Sequence, residues 1–346
     1  RAFFEDTNKL RLEKPELTVR ATEHIPEMVE LIQKLETRGL TYRSEGSVYF
    51  RLAAFPGYGK LSKIDLSGIL PGARVDVEEY EKEHPRDFAL WKAAKEGEPH
   101  WDTALGQGRP GWHIECSAMS MKYLGETFDI HTGGSDLVFP HHENEIAQSE
   151  GASGKPFVRF WLHCEHLIVD GKKMSKSLGN YYTLRDLLNQ GYGPDAVRYL
   201  LASVPYRKML NFTFDGLRQA ASSIDRLRNF RLRLRTEGFP PGEDEQAADL
   251  LRRAGADFEA ALDDSLNTAA ALGVVFEAVR ELNTRADAGA LAAGNATAAL
   301  DLLERFDRIF AVLETETERQ ESRELARLVE EAVSYTHLRA HETVLD

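Results

Sequence analysis

Apolar residues recur every three or four positions in several stretches of the chain, which is the spacing of one face of a helix. In residues 25–38 this pattern follows Pro26 at its start and stops before Gly39, which predicts a helix. A second helical region is predicted over 183–203. Beyond Phe214 the same spacing predicts an all-helical bundle, with helices over residues 215–236, 244–262, 266–287 and 297–331.

Short apolar runs that end in polar residues predict strands in the first half of the chain. The run LTYRSEGSVYFRL predicts a hairpin around Ser44–Gly46. FDIHTGG and HLIVDGKK predict strands that lead into loops. PHHENEIAQSEGA predicts a helix with Pro140 near its first position and Gly151 at its end. Strands that feed helices favour a parallel α/β sheet, whereas the Gly- and Pro-rich residues 53–110 predict a loop-rich connection outside the core.

Composition excludes several classes of protein. Hydrophobic residues make up 42% of the 346 residues and charged residues 29%, so the chain has enough apolar material for a core. The net charge of −13 argues against non-specific coating of nucleic acid. No stretch approaches 18 uncharged apolar residues, which predicts no membrane span. Two cysteines, Cys116 and Cys164, make no disulfide framework and favour a cytoplasmic protein, with Cys164 interpreted as structural.

The string VDGKKMSKSLGN contains the first candidate for chemistry. Lys173 and Lys176 lie three apart among small hydroxyl residues after an apolar strand, which predicts a mobile cationic loop. Such a loop can hold a triphosphate and stabilise the charge of departing pyrophosphate. A solvated basic turn is the alternative for a bare pair of lysines.

The segment HTGGSD contains the second candidate. Gly133 and Gly134 at a strand end allow a ligand to approach the backbone closely. Asp136 can accept hydrogen bonds from ribose hydroxyls. These residues predict a nucleoside-binding loop.

Metal-ligand types occur on both sides of that loop. His141 and Glu145 lie four apart on a predicted helix and share a face, which suits a metal pair or an ordinary surface ion pair. His142 points about 100° away around an ideal helix and is the weaker ligand candidate. In GRPGWHIECSAM, Cys116 is a candidate thiolate ligand or a small core residue.

Several long strings together resemble the cysteinyl-tRNA synthetase family of class I aminoacyl-tRNA synthetases. The resemblance runs from about Ala2 to Glu314 and rests on FALWKAAKEGEP, GWHIECSAM, FPHHENEIAQSE, KMSKSLGN and DDSLNTAAAL. It implies an α/β class I nucleotide-binding fold followed by an α-helical bundle. It implies five segments: the rest of the first half of the catalytic domain (1–52), a connective insertion (53–110), the second half (111–164), a KMSKS-bearing stem-contact region (165–213) and a tRNA-binding bundle (214–332). Separately, residues 333–346 lack helical periodicity and resemble a translated sequencing adapter, so they are excluded from the fold.

The resemblance also implies roles for single residues. In the family a zinc ion binds the thiolate of substrate cysteine, and its ligands match Cys116, His141 and Glu145. A fourth ligand, an N-terminal cysteine, and the HIGH tetrapeptide have no counterpart in the sequence. The expectation is therefore an incomplete nucleotide fold, with its first half missing, that is inactive alone. The remaining matches are to the cysteine pocket (Trp112, His113, His142), the nucleoside loop (Gly133, Gly134, Asp136) and the ATP-contacting loop (Lys173, Lys176).

The implied reaction joins L-cysteine to tRNA(Cys) through cysteinyl adenylate, with ATP as substrate, Mg²⁺ assisting and one zinc per chain. The implied protein is a cytoplasmic monomer. An arginine run from Arg226 to Arg235 is either a phosphate-facing stripe or a solvated helix face. Two other functions stay open: the related ligase that joins cysteine to an amino sugar in mycothiol synthesis, and a non-catalytic zinc- or tRNA-binding module.

Overall fold

The computed structural model describes residues 1–64, 84, 86–315, 317–321, 324–325 and 327–329. The predicted tail at 333–346 lies outside the described residues, as does part of the predicted insertion, 65–83. The chain forms two compact units. We call Pro15–His166 the continuous unit, and Arg1–Lys14 with Leu167–Asp346 the split unit.

The continuous unit contains the following elements, in chain order: α2 (Ile25–Thr37), β1 (Thr41–Ser44), β2 (Ser47–Phe50), β3 (Phe88–Ala93), β4 (Trp101–Thr103), β5 (Gly106–Pro110), α3 (Trp112–Leu124), β6 (Phe128–Gly134), α4 (Glu143–Ser153) and β7 (Val158–Cys164). The predicted helix over 25–38 is confirmed by α2. The predicted hairpin is β1–β2, and its turn residues Glu45 and Gly46 have φ values of 46° and 77°. Two consecutive positive φ values are what a tight hairpin turn requires.

The prediction of a loop-rich connection is wrong for residues 88–110. There β3, β5 and β4 extend the hairpin into an antiparallel sheet of order β1-β2-β3-β5-β4. Leu90 and Trp91 of β3 are fully buried in the core of this unit. The glycines are strand residues: a Cβ on Gly108 would collide with the carbonyl oxygen of Lys92 and the indole of Trp91.

The strands β6 and β7 pair in parallel, as predicted for a strand that feeds a helix. The helix between them, α4 (from Glu143), directly follows a π-helical turn over Val138–His142, in which only Phe139 has extended dihedrals (φ −139°, ψ 131°). Extended backbone is the preference of a residue before proline, so Pro140 lies at the start of the continuous helical stretch, near its predicted position. The prediction that Gly151 ends this helix is wrong. Gly151 is buried within α4 against Leu40, and the C-cap is Gly154 with φ 76°.

The split unit is mostly helical. Its elements are α1 (Ala2–Lys9), β8 (Leu167–Val169), β9 (Lys172–Lys173), α5 (Leu184–Asn189), α6 (Pro194–Ala202), β10 (Leu210–Phe212), α7 (Phe214–Thr236), α8 (Glu245–Asp263), α9 (Thr268–Asp287) and α10 (Ala293–Phe310). The predicted bundle is confirmed, with α7, α8 and α9 within two residues of their predicted bounds. Among the described residues, no helix combines the length and the apolar character that a membrane span needs.

The last predicted helix, 297–331, is interrupted. The helix α10 stops at Phe310, Ala311 takes a left-handed conformation, and the described residues 317–321, 324–325 and 327–329 are helical again. Three arginines bind the carbonyl oxygens at and after the end of α10. Arg11 donates to Ala311 and Glu314, Arg198 to Ile309 and Phe310, and Arg228 to Val312 and Leu313. Cations at the carbonyl end of a helix also complement its dipole.

Candidate active site

Two helix starts bring the predicted metal-ligand residues together. Cys116 lies in the second turn of α3, and Glu145 is the third residue of α4. The helix α3 starts close to β3. A Cβ on Gly111 would collide with the carbonyl oxygen of Ala89, so glycine allows this close approach. The side-chain donor atoms of Cys116, His141 and Glu145 all lie within 4.8 Å of one another. The structure therefore places a sulfur, a nitrogen and an oxygen around one point.

Burial sets the charge of this trio. It raises the pKa of the Cys116 thiol to about 12, and the carboxylates of Glu145 and Glu115 act in the same direction. Burial alone would also raise the pKa of Glu145, but the imidazoles of His131 and His141 outweigh it and hold the pKa below its usual value. At neutral pH the trio is thus a neutral thiol beside an ionised, fully buried carboxylate.

The geometry of Glu145 fits a metal ligand. Its Oε1 is buried and finds no hydrogen-bond partner among the described residues, although Nε2 of His141 lies 2.9 Å away. A buried acceptor without a donor costs free energy that a bound cation would recover. Sulfur, imidazole nitrogen and carboxylate oxygen are the ligand types of zinc, and three protein ligands leave a position open. The residues present therefore fit a zinc ion.

Further imidazoles surround the trio. Nδ1 of His113 lies 2.8 Å from Nδ1 of His141, and Nε2 of His131 lies 2.8 Å from Oε2 of Glu145. Burial, with the neighbouring His141, lowers the pKa of His113 to about 3, so this ring is neutral at pH 7. The ring of Trp112 lies 4.5 Å from that of His141, and its residue is 54% exposed. Trp112 and His113 thus lie beside the trio.

His142 is not a member of the trio of Cys116, His141 and Glu145, but it belongs to a neighbouring group of donors. His142, His131 and Glu145 form a second group whose donor atoms lie within 4.8 Å of one another. Burial lowers the pKa of His142 to about 4, and its Nδ1 lies 2.8 Å from Nε2 of His163.

Sequence reasoning missed three members of this cluster: His131, Trp161 and His163. The ring of Trp161 lies 4.8 Å from the rings of His131 and His142. Trp161 and His163 lie two apart on β7 and so share a face of the strand. Two aromatic residues at alternating positions, in the strand that pairs with the HTGG end of β6, were the sequence signal that could have found Trp161 and His163. Cys164, the next residue, is exposed and belongs to neither donor group.

The two glycines of the predicted nucleoside loop lie so close to neighbouring side chains that a Cβ would not fit at either position. A Cβ on Gly133 would lie 2.6 Å from Cε1 of His142. A Cβ on Gly134 would collide with Oδ1 of Asp136. The Asp136 residue is exposed, so its carboxylate is open to solvent.

The two predicted ATP-contacting lysines lie in the split unit. Lys173 ends β9, which pairs with β8, and both lysines are exposed. Asn180 braces this loop: its Oδ1 accepts from the backbone N–H of Ser175 at 2.9 Å, and its Nδ2 donates to the Lys173 carbonyl at 3.2 Å. Nζ of Lys176 lies 5.5 Å from the centre of the Tyr181 ring.

The arginine run of α7 is bound within the chain, which favours a structural role over a phosphate-facing stripe. Arg228 pairs with Asp195 at 2.6 Å, and Arg231 pairs with Glu318 at 2.7 Å. Arg226 lies over the Phe276 ring, Arg233 pairs with Glu237 and Asp287, and Arg235 pairs with Glu318.

Comparison with known proteins gives a consistent picture. Residues 1–222 match the family described as tRNA synthetases class I (C) catalytic domain, and residues 257–314 match the DALR domain. A cysteine–tRNA ligase of Solibacter usitatus is 64% identical over 312 residues, which cover 90% of this chain and 67% of that protein. One of Koribacter versatilis is 58% identical over 314 residues, covering 90% of this chain and 63% of that protein.

Solved structures give the fold alone. Mycobacterium tuberculosis methionyl-tRNA synthetase in complex with methionyl-adenylate has a TM-score of 0.62 at 16% identity, covering 87% of this chain and 73% of that chain. The predicted fold class, a class I synthetase catalytic fold followed by a helical bundle, is confirmed by these matches. The chain spans about two thirds of the length of the curated relatives it matches.

Proposed function

We propose an activity from one premise: this chain belongs to the cysteine–tRNA ligase family of class I tRNA synthetases. The activity is proposed for the full-length protein that contains the chain. It is the ATP-dependent ligation of L-cysteine to tRNA(Cys), in the cytoplasm and by a monomer. The buried donor trio of Cys116, His141 and Glu145 is the observation that supports the amino-acid specificity.

Cys116, His141 and Glu145 would hold one zinc ion in this proposal. Bound zinc supplies a soft Lewis acid that favours the thiolate of the substrate over a hydroxyl. Trp112 and His113 border the open side of the trio, and His142 lies against Gly133. These three residues would line the cysteine pocket and exclude water from it.

The first chemical step needs no general base from the chain. The substrate carboxylate is already ionised, attacks the α-phosphorus of ATP and displaces pyrophosphate, which gives cysteinyl adenylate. Gly133, Gly134 and Asp136 would hold the nucleoside, with the exposed Asp136 carboxylate accepting from ribose hydroxyls. Lys173 and Lys176, with Mg²⁺, would stabilise the charge that develops on pyrophosphate.

The second step transfers the cysteinyl group. A hydroxyl of the terminal ribose of the tRNA attacks the carbonyl carbon of the adenylate, its proton is lost, and AMP leaves. The helical bundle of the split unit would bind the tRNA, which is consistent with the match to the DALR domain.

Purified full-length protein tests the proposal. We expect cysteine-dependent exchange of labelled pyrophosphate into ATP, about one zinc per chain, and transfer of cysteine to tRNA(Cys). A protein that transfers cysteine to a glucosamine–inositol acceptor and not to tRNA would belong to the mycothiol pathway instead. A protein that binds zinc or tRNA without any exchange would be a non-catalytic module. Either result would overturn the proposal.

A further inference from the structure

His113 and His141 form a hydrogen bond in which the two partners are the same kind of group. Their Nδ1 atoms lie 2.8 Å apart, and both residues are buried. A neutral imidazole has one N–H and one acceptor nitrogen, so one ring must donate and the other must accept. The direction of this bond therefore fixes which nitrogen of each ring carries the proton.

The other side of the His141 ring decides the direction. Its Nδ1 is engaged by His113, and its Nε2 lies 2.9 Å from Oε1 of Glu145, so Nε2 is the nitrogen that His141 offers to the donor trio. A metal held by the trio therefore meets the lone pair of Nε2. The proton of His141 must then be on Nδ1, where it is donated to His113.

We propose that His113 is a positioning residue that fixes His141 as an Nε2 metal ligand, by accepting the Nδ1–H of His141 on its own Nδ1. This inference rests on the proposed zinc site. His113 itself then carries its proton on Nε2. Its ring is held in place by Phe88, whose ring stands edge-on at 5.8 Å, and by the position of His113 in the first turn of α3.

An imidazole in this position has a chemical consequence. Metal-bound histidines usually donate to a carboxylate or a carbonyl oxygen, and a carboxylate draws the proton away and makes the ligand a stronger electron donor. A neutral imidazole orients His141 without adding negative charge. With His113 as acceptor, His141 would therefore hold a metal without added negative charge, which would favour the binding of a substrate thiolate.

The tautomers can be observed directly in the zinc-loaded 346-residue chain. Long-range ¹H–¹⁵N spectra of the histidine-labelled chain distinguish protonated, unprotonated and metal-bound ring nitrogens. We expect His141 to show a metal-bound Nε2 and a protonated Nδ1, and His113 to show the reverse protonation. An unprotonated Nδ1 on His141 would overturn the proposal. This measurement needs no substitution near the site beyond those used for assignment.

Zinc affinity, measured by competition with a chelator, is the second readout. His113→Phe keeps a ring but removes the acceptor, and we expect zinc binding to weaken about 10–100-fold. His113→Asn offers an amide oxygen near the place of Nδ1 and should stay within threefold of wild type. His24 is a matched control, because it is buried in the same unit and uses both ring nitrogens, towards Arg20 and Tyr123. His24→Phe should leave the affinity unchanged.

The outcomes separate this inference from the proposed function. If the wild-type chain binds no zinc, or if the Cys116→Ser chain binds zinc as tightly as the wild type, the proposed zinc site is wrong. If the wild-type chain binds zinc through Cys116 and His113→Phe binds it within threefold as tightly, His113 does not position the ligand. The absorption spectrum of the cobalt-loaded chain adds a check, since a displaced His141 ring changes its visible bands.

Discussion

The buried carboxylate of Glu143 accepts two hydrogen bonds from Ser62, at 2.6 Å from the backbone N–H and at 2.9 Å from the hydroxyl. The backbone N–H groups of Gly59 and Leu61 also donate to it. This single side chain therefore holds the segment before residue 65 against the first turn of α4, two residues from Glu145.

Glu143→Gln should destabilise the continuous unit. The amide would place N–H groups opposite N–H donors, and hydrogen bonds to a charged acceptor contribute more than neutral ones, so we expect a loss of about 2–4 kcal/mol. All four tryptophans lie in this unit, so their fluorescence during urea unfolding reports on it. Glu126→Gln, which removes an exposed pair with Lys155, should change little. Equal effects of the two substitutions would contradict the prediction.

Gly133→Ala should displace the His142 ring. The new methyl would lie 2.6 Å from Cε1 of that ring, which is itself confined by Trp161 and His163. Overpacking of this kind costs about 1–3 kcal/mol, measured by the same fluorescence. Gly57→Ala in the same unit is the control, because a Cβ there makes only an ordinary contact, 3.5 Å from the Phe55 ring. If Gly133→Ala unfolds at the wild-type urea concentration, the ring is free to move and the prediction is wrong.

Zinc binding should release a proton from Cys116. Because the pKa of this thiol is raised to about 12, it is protonated at pH 7–9 and must ionise to bind metal. Glu145 contributes no proton, because its pKa is lowered. We expect zinc affinity to rise about tenfold per pH unit in this range. Calorimetry in buffers of different ionisation enthalpy counts the protons, and a zinc affinity that does not change between pH 7 and 9 would contradict the prediction.

The full-length protein should reject serine through the metal. An apolar pocket separates near-isosteric side chains by only about 10–200-fold. A zinc-bound thiolate adds an interaction that a hydroxyl, with its far higher pKa, does not match. Cys116→Ser should therefore lose zinc and most of the preference for cysteine in pyrophosphate exchange. Cys164→Ser should retain both, because Cys164 is exposed and outside the trio. A Cys116→Ser protein that kept its zinc and its preference would contradict this.

The 346-residue polypeptide by itself should not form cysteinyl adenylate. Its sequence contains no HIGH tetrapeptide, which in the family acts on ATP opposite the KMSKS loop. Loss of one preorganised electrostatic partner typically costs about 2.7–4 kcal/mol in the barrier. We expect pyrophosphate exchange at background level, with the full-length protein as positive control. Turnover within tenfold of that control would show that the tetrapeptide is dispensable.

Local spacing was enough to predict the helices and the pairing of His141 with Glu145. Periodicity and a four-residue separation are properties of one segment, and they survive in the fold. It was not enough for residues whose partners are distant. The donors to Glu143 lie 81–84 residues upstream, and His163 reaches the site because β7 pairs with β6.

Glycine gave the most misleading signal. Gly108 falls in the predicted loop-rich connection, yet it lies in β5, where its backbone approaches the Lys92 carbonyl oxygen and the Trp91 indole. A glycine in a strand marks such a close approach as often as it marks a turn, and the sequence alone does not separate the two.

The arginine contacts at the end of α10 have a consequence for the order of synthesis. Arg11 binds the carbonyl oxygen of Glu314, a residue 303 positions later. At about 5–20 residues per second, a ribosome needs roughly 15–60 s to make the intervening chain. The continuous unit has all its residues long before then, whereas the split unit waits for its last carbonyl groups. The continuous unit can therefore fold on the ribosome, while Arg11 remains without these carbonyl partners until translation has passed Glu314.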